Sequence, residues 1–157
     1  MKFLNRNLYG KVCSLDGEAY EAEWNEQYQK YFYELEKISG RLPKSFWKEF
    51  VMHHMHDSIL KSINISKESL KSRCQYKLTL CLIDYQNNNI EHILVFTDIK
   101  NLRSDLSFGE FSGNCDWLYS EILPIDSKRL SFEVMLFSES DLYFEFSKLH
   151  YKKVRLP

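Results

Sequence analysis

Val51-Met52-His53-His54-Met55-His56-Asp57-Ser58-Ile59-Leu60-Lys61-Ser62-Ile63-Asn64-Ile65 is the stretch on which the fold turns. Before it, apolar side chains recur at helical spacing; after it, they recur at every second residue. A helix gathers positions three and four apart on one face, whereas a strand sends successive side chains to opposite faces. The change of period near residue 56 predicts one domain with a helical part, 1–56, and a sheet part, 57–157.

Working towards the N-terminus, Tyr20, Trp24, Tyr28, Tyr31, Leu35 and Ile38 lie 4, 4, 3, 4 and 3 residues apart, which places them on one helical face. Ser14 or Asp16 is a candidate cap, Glu18, Glu21 and Glu23 suit the positive end of the helix dipole, and Gly40 is the expected stop. Pro43 fits the first turn of a second helix with Phe46, Trp47, Phe50 and Val51 as its apolar stripe. The short Ser39-Gly40-Arg41-Leu42 link predicts a helical hairpin.

Towards the C-terminus, 59–65 reads as a first strand, and Tyr76, Leu78, Leu80 and Leu82 alternate with Lys77, Thr79, Cys81 and Ile83. Cys81 reads as a small buried hydrophobe. Gln86-Asn87-Asn88-Asn89 is a turn leading into a strand over 90–99. Trp117 to Ile122, Leu130 to Leu136 and Leu142 to Ser147 also alternate, the last two joined by Ser138-Glu139-Ser140-Asp141. Leu102 to Cys115, with Gly109 and Gly113, is the expected long loop. Lys148 to Arg155 carries four basic residues and no acid, and reads as an edge strand whose lysines deter intermolecular pairing. Strands that succeed one another without helices between them pair antiparallel. The predicted fold is α+β: an N-terminal helical hairpin, then a mainly antiparallel sheet of about five or six strands, a usual sheet size.

Twenty-one Lys and Arg against 22 Asp and Glu give a net charge of −1, which disfavours a dedicated nucleic-acid binder. No run approaches the roughly 18 apolar residues of a membrane span, and Met1 to Leu8 is interrupted by polar residues where a signal peptide needs an apolar core. The expected location is the cytoplasm, with no membrane or nucleic-acid partner. Cys13, Cys74, Cys81 and Cys115 form no C-x-x-C pair, so free thiols and no cofactor are expected.

His53, His56 and Asp57 are candidate metal ligands, since imidazoles and a carboxylate one helical turn apart suit a divalent ion. His-Asp doublets hold the cation in a class of metal-dependent phosphohydrolases, which makes such an enzyme the alternative reading. Against it, the chain turns extended after Asp57, so the histidines end a helix where positive charge is favourable and Asp57 bonds backbone amides at the turn. Gly109-Glu110-Phe111-Ser112-Gly113 matches neither a phosphate loop nor a nucleophile elbow. Glu121 beside Trp117 and Tyr119, with Asp116 nearby, has the composition of a sugar site, although strand alternation yields the same letters. The first long helix is acidic and aromatic, a docking surface for a basic partner. The predicted binding residues are Glu21, Trp24, Tyr28, Trp117, Tyr119 and Glu121.

Met1-Lys2-Phe3, Leu8-Tyr9, Leu42-Pro43, Met55-His56-Asp57-Ser58 and Trp117-Leu118-Tyr119-Ser120-Glu121-Ile122 resemble a family of small uncharacterised bacterial proteins with a Leu-His-Asp junction and a Tyr-x-Glu-Glu-Ile strand. The chain departs from that pattern at Met55 and Ser120, and the resemblance brings no activity with it. From Met55 onward, His56-Asp57 and Val95-Phe96-Thr97-Asp98-Ile99 are similar to small bacterial toxin-immunity proteins. That similarity implies a non-catalytic module that binds another protein, with toxin-neutralising or regulatory action.

Overall fold

The computed structural model describes residues 1–53, 55–70, 73–105, 117–137 and 140–157, and the side chains of all of these except 51–53, 70 and 73. Helices α1 (Arg6–Val12), α2 (Glu18–Lys37) and α3 (Lys44–His53) precede eight strands. Asn5 caps α1 by accepting the Leu8 N–H at 3.0 Å. The one buried residue of this seven-residue helix, Leu8, makes no repeat, so the helix leaves no period in the sequence. Helix α2 starts without a side-chain cap, which corrects the expectation for Ser14 or Asp16. Its N-terminal boundary is Gly17, where an added Cβ would stand 2.0 Å from the Val12 carbonyl oxygen. Glycine is required there because the α1–α2 turn closes backbone against backbone.

The face predicted for α2 is the buried one: Tyr31, Leu35 and Ile38 are enclosed, with Trp24 and Tyr28 packed at its margin. In place of a simple stop at Gly40, a 3-10 turn over Ser39–Arg41 carries the chain to Pro43, whose carbonyl accepts the Trp47 N–H at 2.8 Å. Phe46 and Phe50 stack in the core from α3 with ring centroids 5.0 Å apart. Val51 and His53 fall in α3, but their side chains lie outside the described residues.

The strands are β1 (Ile59–Leu70), β2 (Arg73–Ile83), β3 (Ile90–Thr97), β4 (Lys100–Ser104), β5 (Trp117–Pro124), β6 (Leu130–Leu136), β7 (Asp141–Phe146) and β8 (Lys148–Arg155). They form two four-stranded antiparallel sheets, β1-β2-β3-β8 and β4-β7-β6-β5, where a single sheet of five or six was expected. The division arises where two neighbouring chain segments bend together. Thr97 pairs with Lys148 in one sheet and Lys100 with Glu145 in the other. At the corner Asp98 adopts φ 57° and accepts the Ser147 hydroxyl at 2.7 Å, while Ser147 N–H donates to Thr97 O at 3.1 Å. Apolar alternation continues through such a corner, so the sequence reads 90–99 as one strand although the backbone turns at residue 98.

The sheets face each other across an aromatic core in which the Phe96 ring lies 5.2, 4.7 and 5.0 Å from those of Phe132, Phe144 and Phe146. Leu78, Leu80, Leu82 and Leu94 complete the first sheet's inner face, so Cys81 alternates outward and is half-buried rather than enclosed. β8 is an edge strand, as its lysines suggest. Of the predicted 102–115 loop, Leu102 to Ser104 belong to β4, and the rest beyond Asp105 lies outside the described residues, together with Asp116. No described helix is long and apolar enough to cross a membrane.

Candidate functional site

Two surfaces meet at the turn that joins α3 to β1. The chain passes through left-handed geometry at Met55 (φ 49°) and Asp57 (φ 63°). Three backbone bonds hold it there: Ser58 N–H to Met55 O at 3.1 Å, Asp57 N–H to Trp117 O at 2.7 Å and Trp117 N–H to Ser58 O at 2.8 Å. The last two tie the turn to the start of β5 and present His56 sideways. Its ring meets that of Tyr119 at 4.7 Å, and its Nδ1 lies 2.8 Å from Asp57 Oδ2. The carboxylate expected to bond backbone amides thus bonds the neighbouring imidazole. His54 lies outside the described residues, which contain no group of three or more His, Cys, Asp or Glu side chains placed to hold a metal ion.

The first surface is aromatic and acidic. Trp24 from α2 meets Tyr119 from β5 edge to face at 4.9 Å, and Tyr9 from α1 lies 6.2 and 5.7 Å from these two rings. Burial, followed by the Cys13 thiol and the charge of Asp57, pushes the Tyr9 hydroxyl up to about 12. The same influences raise Tyr119. Tyr28 is raised by burial and by Tyr119. Both Tyr9 and Tyr119 therefore remain neutral hydrogen-bonding phenols at physiological pH. One turn before Trp24, Glu21 is exposed, as are Glu18 and Glu23. The fold thus gathers Glu21, Trp24, Tyr28 and Tyr119, from two elements ninety residues apart in sequence, on one side of the molecule.

Trp117 and Glu121 go elsewhere. Trp117 is enclosed between the sheets and donates its indole N–H to Ser120 Oγ at 3.2 Å. Glu121 is 1% exposed and accepts the backbone N–H groups of Lys2 and Phe3, each at 2.8 Å, and of Leu4. Neither presents a side chain to a partner, which corrects their assignment as contact residues. Strand alternation wrote the letters of a site into what is an anchor for the N-terminal segment. Glu133, directly across from Glu121 on β6, holds the Met1 amino group at 2.6 Å.

The second surface is a cleft of about 350 Å³ at the end of the sheets, roofed by the turn after β2 and walled by α3 and β8. His92, 3% exposed on β3, has Asp84 Oδ2 at 3.0 Å from Nε2 and Tyr151 Oη at 2.6 Å from Nδ1. Burial works to raise Asp84, but the bond from His92 and those from the Asn87 and Gln86 N–H groups outweigh it and hold the carboxyl below its usual range. Tyr151 is pushed up by burial, then by the charges of Glu49 and Asp84. An ionised Asp84 accepts only, so the Nε2 proton is directed at it, and Nδ1 shares a hydrogen bond with the Tyr151 hydroxyl. Across the cleft Lys153 Nζ pairs with Glu49 at 2.9 Å. His56 also lines this space, so the histidine turn ends a helix and opens onto a cavity at once. Sequence reasoning passed over Asp84, His92 and Tyr151. The available signal was a histidine at an inward position between Ile90 and Leu94 of an apolar strand, which requires polar partners.

Compared with known proteins, the chain matches no family model, no curated protein and no solved structure.

Proposed function

We propose that this chain is a non-catalytic protein-binding module, toxin-neutralising or regulatory in action, whose contact surface is the acidic, aromatic side built from α2, α1 and the start of β5. The observation that carries this reading is the convergence of Trp24, Tyr28, Tyr119 and Tyr9 beside the exposed carboxylates of α2. Tryptophan and tyrosine supply most of the energy at protein interfaces, and a rim of one charge sign steers an oppositely charged partner and raises its association rate. Glu18, Glu21, Glu23 and Glu36 have no ion-pair partner among the described residues, so their field is directed outward. The expected partner is a protein with a basic face.

The test is affinity capture from the encoding organism's lysate with the wild-type chain and with the Glu18→Lys, Glu21→Lys, Glu23→Lys variant. A basic protein should be retained by the wild type at low salt, released at about 0.5 M salt, and lost with the variant. That protein, expressed alone, should inhibit growth or show an activity that this chain relieves. An unchanged captured set with the triple variant, or capture indifferent to salt, refutes the assignment of this surface.

A further inference from the structure

We propose that the cleft beneath the β2–β3 turn is a binding site for a neutral polyhydroxylated small molecule of the sugar class, independent of the protein-binding surface. Its size, about 350 Å³, falls at the lower end of the range of about 300–1,000 Å³ typical of small-ligand sites. Its chemistry narrows the occupant. Two carboxylates, Glu49 and Asp84, face it, each already matched by a nitrogen of Lys153 or His92. A phosphate or carboxylate ligand would meet both acids, whereas hydroxyl groups donate to carboxylate oxygens and accept from the lysine ammonium in the same site. The Asn87 side chain adds an amide to the lining.

Ser58, 3% exposed, adds a hydroxyl to the lining. At the mouth Tyr85 is 65% exposed, a large aromatic ring that nothing in the fold requires to be there. Sugars carry an apolar C–H face together with their hydroxyls, and an aromatic ring at the entrance of a polar cleft matches both. The walls are preorganised, since the Asp84–His92–Tyr151 chain fixes the inner side and the Glu49–Lys153 pair ties α3 to β8.

Saturation-transfer difference NMR on the full chain tests this, with glucose, galactose, mannose and N-acetylglucosamine as probes and adenosine and inorganic phosphate as contrasts. At least one sugar should show transfer with a dissociation constant of about 1 mM or tighter. Tyr85→Ala and Glu49→Gln should each weaken it about tenfold. Ser58→Ala should weaken it as well, since the cleft loses a lining hydroxyl. The charge-reversed α2 variant should bind the sugar as the wild type does. Absence of transfer from all four sugars overturns the proposal, as does binding indifferent to all three cleft substitutions. Tighter binding of adenosine or of phosphate than of any sugar overturns the ligand class.

Discussion

Replacing Glu121 tests the claim that this carboxylate is an anchor and not a contact residue. In the folded chain it accepts three backbone N–H groups, from Lys2, Phe3 and Leu4, in a site where its own exposure is 1%. Hydrogen bonds to a charged group contribute about 1.5–3 kcal/mol each, so three sum to roughly 4–9 kcal/mol before desolvation. Returning the carboxylate to water on unfolding recovers several kcal/mol of that sum. Glu121→Ala leaves those three N–H groups without an acceptor, at about 1–3 kcal/mol for each that stays buried, and is therefore expected to destabilise by about 3–5 kcal/mol. Glu121→Gln is milder: the amide oxygen still accepts from Phe3 and Leu4, but the NH2 group confronts the Lys2 N–H, a loss of about 2–3 kcal/mol. Urea unfolding followed by tryptophan fluorescence gives both values, and amide exchange at residues 2–4 shows whether the loss is local. Exposed Glu18→Gln serves as the control and should fall within about 0.5 kcal/mol of wild type. If Glu121→Gln matches that control, and exchange at residues 2–4 is unchanged, the anchor is refuted.

Three further outcomes are expected. Phe96→Ala removes the ring that touches Phe132, Phe144 and Phe146 across the two sheets, and should cost about 3–5 kcal/mol by denaturant unfolding with little change in the slope. Asp84 has a folded pKa held below that of the unfolded chain, so its stabilising contribution is present above about pH 4 and is lost as pH falls through the lower folded value. Stability measured from neutral pH downward should therefore decline less steeply in Asp84→Asn than in wild type. Tyr9, Tyr31 and Tyr151 are all raised, chiefly by burial. Their contribution is complete below about pH 10 and lost as pH rises through the folded values, so tyrosinate absorbance should appear in two stages, the second coincident with unfolding.

Helix α2 was the most legible element because about five turns of its face are large apolar residues at strict spacing, and only burial demands that. The alternating strands were legible for the same reason. What escaped were features set by single contacts. The seven-residue α1 rests on an Asn5 cap and one buried leucine, and the division into two sheets rests on a left-handed Asp98 with its Ser147 partner. Neither leaves a period to detect. For the candidate sites, composition pointed to the correct residue types but could not orient them: strand β5 bends at a register shift between Trp117 and Tyr119. An irregularity of that kind turns Trp117 away from Tyr119, while Tyr119 and Glu121 keep the register of a regular strand. Asp84, His92 and Tyr151 lie in three separate stretches and become one hydrogen-bonded chain only when β3 pairs with β8.

The histidine turn shows why position can matter more than coordination. Two non-glycine residues in left-handed geometry cost roughly 1–3 kcal/mol each, a strain that persists only where surrounding contacts impose it. Here the imposing contacts are the Trp117 backbone bonds and the burial of Met55, 3% exposed. The consequence is geometric: His56 stands against Tyr119 on one side and lines the sugar-sized cleft on the other. His56 is thus the residue at which the two surfaces adjoin, each otherwise built from its own side chains. The backbone bonds of Asp57 and Ser58 to Trp117 fix that junction, so each surface keeps its shape whether or not the other is occupied.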